Sequence, residues 1–225
     1  MQTLLIKISG ELFSDSEQIK SVITQTKTLC LKHKVGIVVG GGNFFRGSKD
    51  GGRIGLQKSS AHEIGMLSTI VNGIVLKDFL LQESVSCQIL SAFSCPEIAS
   101  SINQNSIKNS FEENNCVIFV GGTGNPFFTT DTNAVLRAIQ IGAKQVWKGT
   151  KVDGVYESDP LIEKNSKFYS EISYSQVLEK GLKVIDKTAV TLAQENEIEI
   201  RVFNIFEKNA LLKAQKDPGF GSTIR

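Results

Sequence analysis

Lys7 is the one charged residue in an otherwise apolar run, TLLIKIS at 3–9, and Gly10 follows directly after it. An ammonium group placed there either snorkels to solvent along its alkyl stem or is aimed at an anion above the strand's end. Gly10 favours the second reading, because it removes a Cβ from the path of approach. Two further stretches join an apolar run to a glycine loop. Residues 35–39 lead into Gly40, Gly41, Gly42, Asn43, Phe44, Phe45 and Arg46, and CVIFV at 116–120 leads into GGTGNPFFTTD at 121–131. Gly121, Gly122 and Gly124 let backbone N–H groups crowd towards one point. Thr129 and Thr130 offer hydroxyls where a helix begins and its dipole favours negative charge. Arg46 is either a solvated loop residue or a clamp whose planar fork takes two phosphate oxygens. Asp131 either caps the helix or meets a metal-bound phosphate. An ordinary strand-to-helix loop accounts for GGTG taken alone; three such features together point to a polyphosphate.

The elements needed to hold these groups follow from periodicity. Strands are expected at 3–9, 35–39, 85–92, 116–120, 144–148 and 200–205, with a final edge strand at 222–225. Helices are expected from a Ser14/Glu17 capping box to about 34 and from a Ser60/Glu63 capping box through the apolar positions up to Phe79. Others follow at 106–114, 131–142, 173–180, 187–196 and 207–216, with Asp186 ahead of one as N-cap or as an acid beside phosphate. His62, in the first turn of the long helix, reads as a surface residue. Residues 149–160, with the Asp153-Gly154 turn signal and ending in Tyr156, Asp159 and Pro160, read as an exposed hairpin. Strands alternating with helices give a mostly parallel sheet covered on both faces, whose ligands lie beyond the carboxyl ends of the strands. Lys7, the triple glycine, the GTGN loop and Thr150 all fall on that edge.

Other phosphate motifs fail. Gly42 to Gly47 has Walker spacing, but Ser48 and Lys49 follow where Lys and then Ser or Thr are required, and Phe45 and Phe127 break a GxGxxG fingerprint. The 225 residues suit one domain, 1–225, and 25 Lys plus Arg against 23 Asp plus Glu give a net charge of +2. That balance argues against a nucleic-acid or membrane partner. Cys30, Cys87, Cys95 and Cys116 lack CxxC spacing and read as buried thiols in a reducing compartment. With no signal-like start and no apolar run near the ~20 residues of a membrane span, a soluble cytoplasmic protein is expected.

The motifs KISGE (7–11), GGGNFFRG (40–47), IGMLSTIVNG (64–73), GTGNPFFTTD (122–131), TKVDGVYESDP (150–160), LKVID (182–186) and RVFN (201–204) resemble bacterial UMP kinase (uridylate kinase) of the amino acid kinase superfamily, over nearly the whole chain. The resemblance implies a three-layer αβα sandwich with a mostly parallel central sheet. It also implies transfer of the γ-phosphoryl group of ATP to UMP, with Mg²⁺ carried by the ATP phosphates and no dedicated metal site. Carried over by position, Lys7, Ile8, Ser9 and Gly10 would meet ATP phosphates beside Gly42 and Arg46, and Thr150, Tyr156 and Asp159 would hold adenosine. Gly41, Thr123, Gly124, Asn125, Pro126, Phe127, Phe128, Thr129 and Thr130 would hold UMP. Asp131 and Asp186 would orient the catalytic lysine and metal, with Lys7, Arg46, Asp131 and Asp186 forming the catalytic set. His62 stands where the family usually carries an aspartate on the UMP ribose. Lys77 and Gln88 stand where many relatives carry basic groups for a GTP effector, and the 48–59 loop and the N-terminus are short. The N-terminal part would be mainly the UMP side and about 143–225 mainly the ATP side of a homohexamer whose contacts involve the long helix. A non-catalytic nucleotide- or oxyanion-binding protein on the same fold is the alternative.

Overall fold

The computed structural model describes residues 1–46 and 50–225. Gly47, Ser48 and Lys49, used above in rejecting a Walker loop, lie outside the described residues. β1 (Gln2–Ile8) is flanked on one side by β2 (His33–Val39), β5 (Cys116–Val120), β3 (Cys87–Ser91) and β4 (Ser100–Ser101). On the other side lie β6 (Gln145–Thr150), β10 (Glu199–Asn204), β11 (Ser222–Ile224) and β9 (Glu171–Ile172). The nine-stranded sheet is parallel except where β11 pairs antiparallel with β10. A separate two-stranded ribbon joins β7 (Val155–Tyr156) to β8 (Phe168–Tyr169).

Alternation along β1 divides the core. Leu4, Ile6 and Ile8 face one layer, packed with Ile19, Val22 and Ile23 of α1 (Ser16–Cys30), Leu76 and Leu80 of α2 (Lys58–Gln82), and Leu211 of α7 (Ala210–Lys216). Leu5 faces the opposite layer, with Ile107 of α3 (Gln104–Glu113), Val135 of α4 (Thr130–Gln140), Val177 of α5 (Tyr174–Glu179) and Val190 of α6 (Lys187–Glu195). Each fully buried Leu or Ile stabilises the fold by roughly 1.5–3 kcal/mol. The same period of two puts Lys7 on the Leu5 face, under α4.

Several expectations are corrected. Asp15 caps α1, accepting from the Glu17 and Gln18 N–H groups, while Ser14 ends a 3-10 turn, Gly10–Ser14. α2 begins at Lys58 after Gln57 with no side-chain cap, so Ser60 lies inside its first turn. Residues 50–53, within what is expected as the 48–59 loop, are helical. β11 is an inner strand and the short β9 forms the edge, because the chain after β8 turns back along β11. By length and composition α2 also forms one helix apolar enough to cross a membrane, where no apolar run of that size was expected. Its inner face packs on the sheet and carries buried Ser68, Thr69 and Asn72.

Candidate active site

The loops after β5, β2, β1 and β6 are neighbours along one sheet edge, because those strands are adjacent and parallel. Lys7 and Lys148 are partners in the β1–β6 register and emerge on the same face. Two ammonium groups on adjoining strands repel one another, so the arrangement requires a counter-charge. Asp131, in the first turn of α4, supplies it: one carboxylate oxygen is 3.0 Å from Lys7 Nζ and the other is bonded by Lys148 Nζ. Burial disfavours the Asp131 carboxylate, but Lys148 and Lys7 outweigh that and hold its pKa well below the usual range. Burial pulls the Lys148 ammonium down to about 8, with Asp131 opposing the shift and Lys7 adding to it. Asp131 is therefore the clamp on two lysines, and the helix cap is Thr129, whose hydroxyl accepts from the Asp131 N–H at 3.0 Å.

Asp186 ties this helix to its neighbour. Its carboxylate accepts from the Thr129 hydroxyl, from the Thr132 hydroxyl and N–H, and from the Ala189 N–H at the start of α6. In this structure it braces two helix N-termini and makes no contact with Lys7.

Two clefts meet at Lys7, Ser9 and Glu11. One, of about 690 Å³, is lined by Lys7, Ser9, Glu11, Lys148, Thr150, Tyr156, Asp159 and the 181–184 segment. The other, of about 240 Å³, is lined by Lys7, Ser9, Gly10, Glu11, Gly40, Gly41, Gly42, Arg46 and Thr130. Residues 149–160 are thus the wall of a cleft, with β7 pairing to β8 beyond it. Ile8 faces neither cleft. Its side chain is buried in the core and its carbonyl accepts from Gly40 N–H at 2.9 Å, which holds the two loops together.

Gly10 is required by those loops as much as by any ligand, since a Cβ there would lie 2.8 Å from Gly42 N. A Cβ on Gly41 would lie 2.7 Å from the Gly65 carbonyl of α2. α2 also braces both glycine loops with side chains: Asn72 donates to the Gly40 carbonyl and to Asn43, and the Thr69 hydroxyl accepts from Gly121 N–H. Gly121, Gly122 and Gly124 all have positive φ, as does Phe127 at 73°. Thr123 closes the loop on itself through Asn125, while Gly124 and Pro126 are partly covered and Phe127 and Phe128 are exposed. His62 is partly covered, its ring 5.1 Å from that of Phe127, at the margin of this loop.

Sequence reasoning missed Lys148, Glu11, Thr69 and Asn72. Lys148 carried the same signal as Lys7, a lysine in an apolar strand, but it was read as the strand's last residue. Glu11 bonds Arg46 and Lys151. The polar inner face of α2 has no sequence signal distinct from that of an exposed helix face.

The sequence pattern of the amino acid kinase family matches residues 2–204. This chain belongs to that family. It is 40% identical over 216 residues to the uridylate kinase of Magnetococcus marinus, covering 92% of this chain and 89% of that one. It is also 40% identical over 227 residues to the uridylate kinase of Mycoplasma genitalium, covering 97% and 93%. Among solved structures, UMP kinase from Ureaplasma parvum superposes with a TM-score of 0.93 at 37% identity over 99% of this kinase chain and 98% of its own. UMP kinase from Bacillus anthracis gives 0.93 at 28% identity, covering 100% and 96%.

Proposed function

We propose that the chain is a UMP kinase, transferring the γ-phosphoryl group of ATP to UMP to give UDP and ADP in pyrimidine nucleotide synthesis. The observation that carries this reading is the pair Lys7 and Lys148, clamped by one carboxylate where two clefts meet. In the transfer, a UMP phosphate oxygen forms a bond to the γ-phosphorus as the bond to the ADP oxygen breaks, with the two oxygens roughly in line. A phosphate monoester is already largely dianionic at pH 7, so the acceptor needs no general base. The protein's part is to hold two anions together and to offset the charge they bring.

In this reading the 690 Å³ cleft takes ATP, with Thr150, Tyr156 and Asp159 at the adenosine end and Lys7, Ser9 and Lys148 at the phosphates. Gly41, Thr130 and the 123–130 loop take UMP, with His62 and Phe127 beside its nucleoside. Arg46 bridges the phosphates. The division into a UMP half and an ATP half, the latter about 143–225, follows the same assignment. Both oxygens of Asp131 are engaged by lysines. The divalent cation, Mg²⁺, is accordingly proposed to enter on the ATP phosphates as part of the substrate.

A homohexamer in the cytoplasm completes the proposal. Ile64, Leu67, Val71, Ile74 and Leu81 are exposed along α2 at helical spacing, and another copy of this chain would cover them. The deciding experiment is ADP release from Mg-ATP with UMP, CMP, dUMP or no acceptor. UMP-dependent turnover well above the rest is expected; nucleotide binding without turnover would refute the kinase reading.

A further inference from the structure

Glu11 stands where the two clefts join, on the loop after the central strand β1, and lines both of them. One of its oxygens accepts from Arg46 Nη2, and the other accepts from Lys151 Nζ at 2.8 Å. Arg46 follows β2, on the acceptor side, and Lys151 follows β6, on the donor side. A single carboxylate therefore spans the junction and ties together a cation from each half. Burial works against its charge, but Lys151 and Arg46 outweigh that and lower its pKa.

An acidic side chain at a meeting point of two polyanions opposes both of them unless it is engaged elsewhere. Both of its partners are about half exposed, at 50% for Arg46 and 53% for Lys151, so neither is locked in place by burial. Ion pairs at such exposure are weak and readily exchanged. A phosphate offers more: two negative charges at neutral pH and oxygens that match the guanidinium fork. Arg46 is also held from behind, the guanidinium Nε donating to the Gly42 carbonyl at 3.2 Å while the backbone N–H donates to Asp50. When Glu11 lets go, the guanidinium thus remains at the small cleft.

We propose that Glu11 is a positioning residue that competes with the substrate phosphates for Arg46 and Lys151. It keeps both cations at the junction while the site is empty and is displaced when phosphate arrives. The proposal rests on the kinase reading for the identity of the anions, and it has no counterpart in the roles given above to Lys7, Lys148 or Asp131.

The test is calorimetric binding of Mg-ADP at low ionic strength. Glu11→Gln removes the competitor and keeps the shape, and it should tighten ADP about threefold to tenfold, a gain that shrinks as salt is raised. In turnover the ATP KM should fall as well, whereas loss of a merely structural residue would raise it. In a protein already carrying Arg46→Met and Lys151→Met, adding Glu11→Gln should give a smaller gain, because no competition remains and only the direct repulsion of the unpaired carboxylate is relieved. ADP binding that is unchanged or weaker in the single variant overturns the proposal. So does a gain just as large without the two cations, since the carboxylate would then act on the nucleotide directly and not through them. Thermal melting checks folding, and Glu11→Ser answers the same question if the glutamine variant does not fold. Absence of UMP-dependent turnover in the wild-type preparation would refute the kinase reading while leaving the ADP comparison intact.

Discussion

Replacing the buried Lys148 by Met removes one of two ammonium groups from the site while keeping an apolar stem of nearly the same length. Burial brings Lys148 from 10.5 to about 8, with Asp131 opposing and Lys7 reinforcing the shift. At 1.36 kcal/mol per pK unit, holding this group charged at pH 7 costs about 3 kcal/mol relative to the unfolded chain. The Met variant should therefore be more stable, by up to about 3 kcal/mol, which at roughly 2–4 °C per kcal/mol raises the melting temperature by several degrees. The sign with pH is fixed by the depressed folded value. Between about 8 and 10.5 the unfolded wild type binds more protons than the folded one, so wild-type stability gains with pH in that window. The variant should lack this slope. Turnover should move the other way, falling about 10²–10³-fold as for loss of one preorganised charge-stabilising group; deprotonation of Lys148 should make wild-type kcat fall above about pH 8, and the variant should lack that fall. Paired thermal melts and steady-state kinetics from pH 6.5 to 10 make the measurement. A variant with wild-type turnover, or one less stable than wild type at pH 7, would refute the reasoning.

Lys7→Ala should cut turnover by orders of magnitude with the fold intact by circular dichroism; a near-normal rate would sink its role. Thr130→Ala should mainly raise the UMP requirement in initial-rate assays, and an effect confined to ATP would mean the two clefts are exchanged. Asp186→Ala strips the cap from α6 and the brace from Thr129 and Thr132, and should lower stability in urea by about 1–3 kcal/mol. Asn72→Ala leaves the Gly40 carbonyl without its buried donor and should cost a similar amount, with a raised KM for both nucleotides as the loop loosens.

The edge that carries the candidate site was legible because glycine at a strand end and charge inside an apolar strand are local signals with few physical explanations. Lys7, the triple glycine and the 121–131 loop were all found in that way. Lys148 was not, since its meaning depends on which strand lies beside β1, and pairing of residues 5–7 with 146–148 is a tertiary fact. The double cap made by Asp186 was half legible: its place before α6 was, but its bonds to Thr129 and Thr132 required two helices to converge. The cap of α1 and the start of α2 were missed because a Ser with a Glu three residues on is a weak pattern, and at α1 it lost to an adjacent aspartate that reaches two N–H groups. The edge of the sheet was misplaced for a similar reason, as two-residue strands such as β9 leave no periodicity to detect.

The central position of β1 has a consequence for synthesis. Lys7 is translated 124 residues ahead of Asp131 and 141 ahead of Lys148, the two groups that complete its charge balance. At ~5–20 residues per second the ribosome leaves several seconds in which β1 can find β2 and α1 but not β6. During that interval one face of the strand is apolar and uncovered, and the lysine upon it has no counter-charge. A nascent or cleaved chain that stops short of β6 accordingly holds the glycine loops but not the lysine pair, so that phosphoryl-transfer capacity arises only when the second half of the sheet closes upon the first.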